Sequence, residues 1–157
     1  MTIEHKNLTA SILDRLIDSE PGIFNEPVQF RLMELRQIRA MVIRDLENLL
    51  NTRRNILPPP PEFVELNRSI MVYGLSDFTS QSPKSHSVRR QLHQDIEKTI
   101  ALFEPRLRNV KVQIEEEQEG RSLRFRINAM LVIEPESEPV QFDTYFDINR
   151  GEYVISG

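Results

Sequence analysis

The feature that most constrains this chain is a change of apolar period at Pro105. Before it, Val88, Leu92, Ile96, Ile100 and Phe103 recur at steps of 4, 4, 4 and 3, the spacing of one helical face. After it, Val110, Val112 and Ile114 alternate with Lys111 and Gln113, the spacing of a half-buried strand. A proline fixes its own φ and pushes the preceding residue out of the helical region. Glu104 therefore sits at the break, with Ser85 or Ser87 as candidate caps at the other end of the helix.

The two-residue period then persists. Leu123, Phe125, Ile127, Ala129 and Leu131 alternate with polar residues. Val140, Phe142, Thr144, Phe146 and Ile148 form the next run, and Tyr153, Val154 and Ile155 a last short one. Between them lie an acidic turn at Glu115–Gly120, a proline-flanked turn at Glu134–Pro139 and an Asn149-Arg150-Gly151 turn. Strands joined by short turns make an antiparallel meander with one face covered. The expected fold class is α+β: N-terminal helices, one of them long, packed on an antiparallel sheet of about four strands at the C-terminus.

The helical part divides. Val28, Leu32, Leu35, Ile38, Val42, Leu46 and Leu49 form a stripe that predicts a long helix from about Val28 to Thr52. Ser11–Asp18 reads as a two-turn helix with Ile12, Leu13, Leu16 and Ile17 on one face, too short to stand without docking on something. Pro58–Pro61 stops the long helix and favours a stiff extended spacer. The expected division is a helical region at 1–57, a proline-rich linker at 58–65 and an α+β region at 66–157. The outer two either pack together or form separate arms. Leu66–Leu75 reads as a short helix or irregular turn closed by Gly74, and Asp77–Ser87 as a loop.

Composition removes several functions. With no Cys, a disulfide framework, a thiol nucleophile and a Cys-ligated metal are excluded. A net charge of −4 argues against a nucleic-acid partner. The charge is uneven, with segment balances of −1 for 1–62, +3 for 63–114 and −6 for 115–157, which suits electrostatic steering toward partners. The first ten residues lack the apolar core of a secretory signal. No apolar run approaches the ~20 residues of a spanning helix, so membrane insertion is not expected and the expected home is the cytoplasm.

No catalytic constellation stands out. His86 and His93 are seven apart, not at the i,i+4 spacing of a helical metal pair. Glycine-rich phosphate loops and the nucleophile-elbow motif are missing. Asp95, Glu97 and Glu104 crowd one helix, but helix spacing cannot place two carboxylates across a cleft. The run Glu115-Glu116-Glu117 with Glu119 lacks the spacing of a calcium loop. No catalytic residue, cofactor or metal ligand is therefore expected. The most informative local stretch is Phe103-Glu104-Pro105-Arg106-Leu107. A guanidinium at a rigid corner suits bidentate recognition of a partner's carboxylate or carbonyl. Equally, Glu104 and Arg106 can brace the corner within the domain, and spacing alone leans to the brace.

These residues carry a resemblance. Ile100–Leu107, followed by Val110 and Val112, resembles the Glu-Pro-Arg signature of the phage "lysozyme-like" baseplate wedge and sheath-initiator family. Ser11–Leu16, Arg44–Arg53, and Ser69 with Tyr73–Phe78 are similar, in order, to the N-terminal, long-helix and post-linker motifs of that family's type VI secretion members, the TssE type. Ser76 stands where those members lead one to expect proline.

The resemblance implies a structural subunit of a contractile injection machine that nucleates sheath polymerisation, in a cytoplasmic baseplate docked at the inner face of the cytoplasmic membrane. Its implied partners are other wedge subunits of the TssF, TssG and TssK type and sheath proteins of the TssB and TssC type. Glu104, Pro105 and Arg106 are implied to contact the wedge's helical core bundle, with Leu13, Arg15 and Leu16 as further wedge contacts. The C-terminal region is similar to the sheath protein's strand-exchanging domain, so Tyr153, Val154 and Ile155 are expected to present an open edge to it. On these roles, truncating Glu104 or Arg106 leaves the isolated fold intact and stops assembly. The alternatives are a peptidoglycan hydrolase, as the old family label suggests, and a free-standing adaptor binding through the proline run.

Overall fold

The computed structural model describes residues 35–55, 57–77, 85–115, 124–133, 136–147 and 152–157. The Ser11–Asp18 segment and the start of the long stripe, 28–34, lie outside them. Helix α1 spans Leu35–Asn51, two 3-10 turns follow at Leu66–Arg68 and Ile70–Val72, and helix α2 spans His86–Phe103. The sheet consists of β1 (Leu107–Glu115), β2 (Arg124–Ile133), β3 (Glu136–Asp147) and β4 (Glu152–Ser156). Its order is β1-β2-β3-β4 and every pairing is antiparallel, so it is the expected meander and the fold is α+β.

The helical periods become the core. Ile38, Val42, Leu46, Leu49 and Leu50 of α1 are buried, as are Leu92, Ile96 and Ile100 of α2. They meet Val112, Phe125, Ile127, Leu131, Val140, Phe142 and Ile155 from one face of the sheet in a single cluster. Burying each such side chain contributes about 1.5–3 kcal/mol before the entropy of ordering is counted. Elements from both sides of the proline run share this core. Helix α2 packs chiefly along β1, and α1 along β4. The opposite sheet face is polar, with Arg126 paired to Asp143 at 2.7 Å and Glu115 at 3.0 Å.

Two strand details depart from the period. β3 begins at Glu136, inside the stretch expected to be a turn, and Pro139 pairs with Met130. β4 covers β3 only from Asp143 to Asp147. Among the described residues β3 is therefore an edge on that side at Pro139, where a missing N–H is tolerated. In β1 the register shifts between Arg108 and Lys111, with Asn109 at φ 54°. That is a bulge with its extra residue in the left-handed region, which Asn tolerates better than most side chains. Ser85 stands at the N-cap position of α2, but its hydroxyl pairs with that of Ser87 at 2.8 Å instead of capping a backbone N–H.

The end of α1 is clamped to the post-linker stretch. Leu75 N–H donates to the Thr52 carbonyl at 2.9 Å, and Arg54 N–H to the Leu75 carbonyl at 2.7 Å. Gly74 sits at φ 96°, and a Cβ there would run into the Thr52 carbonyl, so the close approach requires glycine. Arg54 reaches on to the Gly74 carbonyl at 3.1 Å and the Asp95 carboxylate. Asp95 also accepts the Ser76 N–H at 2.9 Å, a donor that a proline at 76 would lack.

Candidate interaction site at the helix-to-strand corner

At the corner, helix α2 closes with the Glu104 N–H on the Ile100 carbonyl at 2.8 Å. The Glu104 carbonyl then takes the Leu107 N–H at 3.0 Å, which turns the chain into β1 across Pro105. The Arg106 carbonyl accepts the Val132 N–H at 2.8 Å and ties the corner to the end of β2. The backbone of the Glu-Pro-Arg motif thus joins helix to sheet.

Its side chains close on each other. Glu104 is 3% exposed. Arg106 holds it with a fork, Nε to Oε1 at 2.6 Å and Nη2 to Oε2 at 2.6 Å. The same Nη2 donates to Asp45 Oδ2 at 2.5 Å, and Arg44 holds Asp45 Oδ1 with Nη2 at 2.8 Å. A chain of alternating charge, Glu104–Arg106–Asp45–Arg44, therefore runs from the corner to the middle of α1. Burial works against the charge on Arg106, but the Glu104 and Asp45 carboxylates outweigh it and hold the guanidinium above its ordinary value. Nearby Tyr73 packs edge-on against Phe103 with ring centres 5.1 Å apart. Burial raises the Tyr73 hydroxyl, and the negative charges of Asp45 and Glu104 raise it further.

This arrangement is a brace. Both oxygens of Glu104 are spent within the chain, while Pro105 is exposed and Arg106 and Arg44 keep partial exposure at 18% and 35% of their side chains. Asp45, sixty-one residues from Arg106, was not among the residues singled out from the sequence. The hints were its place on the border of the apolar stripe and inside the Arg44–Arg53 motif.

The other expected contact residues fall differently. Leu13, Arg15 and Leu16 lie outside the described residues. β4 is an outer strand of the sheet, as expected, but its edge is not open. Tyr153 N–H donates to Asn51 Oδ1 at 2.7 Å and Asn51 Nδ2 donates to the Tyr153 carbonyl at 2.8 Å. Ile155 N–H donates to Glu47 Oε1 at 3.0 Å. The expectation of a bare edge failed because these partners are more than a hundred residues away in sequence. The Tyr153 ring packs inward against Phe125 and Phe146 at 5.6 and 5.2 Å, and burial raises its hydroxyl. Ile155 is in the core, whereas Val154 lies on the polar face beside the exposed Tyr145.

A further surface was not foreseen. From Leu57 to Met71 apolar side chains point outward: Leu57, Phe63, Val64, Ile70 and Met71 are all more than half exposed. The segment is shaped from within. Asn67 Nδ2 donates to the carbonyls of Pro60 at 2.8 Å and Phe63 at 2.9 Å, and Ser69 caps the second 3-10 turn. Among the described residues no cluster of His, Cys, Asp or Glu could hold a metal ion, and no helix is long and apolar enough to cross a membrane.

A braced corner, sheet edges partly covered by side chains and an exposed apolar ledge define an α+β scaffold with surfaces for contact. The chain belongs to the baseplate wedge protein gp25 family, which it matches over residues 36–136. That span runs from α1 to the first residue of β3 and takes in the whole corner. By family, the chain is thus a structural component of a baseplate wedge. No curated protein matches it. In structure it is similar to a chain of "The baseplate complex from the type VI secretion system", with a TM-score of 0.50 and 19% identity over 70% of this chain and 94% of that one. A likeness at that identity speaks for the fold.

Proposed function

We propose that the chain is the TssE-type wedge subunit of a type VI secretion baseplate and that it initiates sheath polymerisation. The observation that carries this reading is the family match through both helices and the corner, joined to a fold like that of a type VI baseplate chain. The type VI motifs at Arg44–Arg53 and at Ser69 with Tyr73–Phe78 include residues with structural work here: the first supplies Asp45, Glu47 and Asn51, and Leu75 of the second clamps Thr52. On this reading the chain is not an enzyme. It meets TssF-, TssG- and TssK-type wedge subunits through the rim of the corner, where Pro105, Arg106 and Arg44 reach the surface. It meets TssB- and TssC-type sheath proteins through β4, in a baseplate docked on the inner face of the cytoplasmic membrane.

Co-purification tests it. The tagged chain should retain wedge subunits, and loss of the chain should leave cells without sheaths. Normal retention of those subunits on an unrelated bait, or normal sheaths without the chain, contradicts the reading. The hydrolase alternative predicts that purified protein clears a cell-wall suspension in a manner that depends on Glu104. With both Glu104 oxygens bonded to Arg106, the expected result is no clearing.

A further inference from the structure

The outer edge of β4 carries a substitute for a neighbouring strand. A primary amide presents a donor and an acceptor side by side, as a peptide group does. Asn51 uses both on Tyr153, whose N–H and carbonyl are the groups through which an added strand would pair. Glu47, one turn earlier on the same face of α1, takes the next outward N–H, that of Ile155. The opposite edge of the sheet shows the same device once, where Glu97 of α2 accepts the Val112 N–H at 2.9 Å. At β4 the cover is fuller, with three hydrogen bonds on two successive outward residues.

We infer that Glu47 and Asn51 form a latch that closes the β4 edge against a further strand. The latch rests on the proposal that β4 receives a strand from the sheath only in giving it a purpose; the closure itself stands on the hydrogen bonds. A strand joining at β4 must first displace these two side chains from α1. Asn51 is exposed, so its release requires no repacking of the core. The position of α1 then governs whether the edge is available, and contacts made by α1 elsewhere are coupled to it.

Amide exchange followed by NMR on the full chain tests the latch. In the unaltered protein the amides of Tyr153 and Ile155 should be protected. Asn51→Ala should speed exchange at Tyr153 by roughly tenfold, the loss of one ordinary hydrogen bond. Glu47→Ala should do the same at Ile155, while Glu47→Gln, which keeps the acceptor, should preserve protection there. The double variant should also self-associate in sedimentation, because an uncovered antiparallel edge pairs with its copy. Unprotected amides in the unaltered chain, or freed amides without any gain in self-association, would overturn the latch. Binding to purified TssB- and TssC-type sheath subunits separates the two ideas. Stronger binding by the double variant supports both, whereas a self-associating double variant that ignores sheath subunits leaves the latch standing and removes its proposed purpose.

Discussion

The helix-to-strand corner and the β4 edge are both points where a partner is expected, and both are closed by α1, but by bonds of different strength. At the corner, α1 sends Asp45 into a buried network with Arg106 and Glu104, each member charged and each bonded at 2.5–2.6 Å. At the edge, α1 sends the neutral Asn51 and one carboxylate to backbone groups near the surface. Opening the corner strands a charge away from water, whereas opening the edge exchanges protein hydrogen bonds for water. On these bonds the first is the stronger joint, and the second is the latch inferred above.

The largest effect that would break this comparison is at the corner. Arg106→Ala leaves the buried Glu104 carboxylate without its cation and takes a partner from Asp45, and should cost about 3–5 kcal/mol in denaturant unfolding. The bonding of Glu104 within the chain points the opposite way from the expectation that such truncation spares the isolated fold. The double variant Glu104→Ala, Arg106→Ala should cost less than the sum of the two single changes, because the two residues form one network. Full stability in Arg106→Ala would mean that the brace carries nothing.

Gly74→Ala comes next. It forces a side chain into the Thr52 carbonyl at a φ that L-residues rarely adopt, and should cost about 1–3 kcal/mol. The loss should appear as a lower Tm with the corner network intact.

The pH dependence sharpens the comparison from the alkaline side. Tyr73 lies by the corner and Tyr153 on β4, and both hydroxyls are raised from 10.0 in the folded chain. Below that value both are neutral in either state, and their contribution is fully present. As pH rises past it the unfolded chain ionises first, so stability falls until the folded pKa is passed. Unfolding measured between about pH 8 and pH 11 should show this decline, shallower in Tyr153→Phe.

The smallest effect is at the edge itself. Asn51→Ala should lower stability by only about 0.5–1.5 kcal/mol, since the Tyr153 groups it releases face solvent. A cost as large as that at the corner would erase the distinction between joint and latch.

What the sequence made legible follows the range of the interaction. The apolar steps of Val88–Phe103 and the alternation of Leu123–Leu131 report burial directly, so α2 and the sheet could be read from them. Pro139 hid the start of β3 because a proline reads as a turn unless the neighbouring strand is known to stop short. The Glu-Pro-Arg corner was legible as a joint, since its partners are two residues apart. Asp45, Glu47 and Asn51 were not, because their roles depend on α1 meeting segments that are distant in sequence. Each looks like an ordinary solvated residue on the border of the stripe. Ser76 needed Asp95 beside it before its N–H had meaning.

The central claim is that this chain works as a wedge subunit from which the sheath grows. It is tested most directly by counting fluorescently labelled sheaths in cells that lack the chain and in cells that regain it. The account predicts no sheaths without the chain and normal numbers when it is restored. Sheaths of normal number and length in its absence would contradict it.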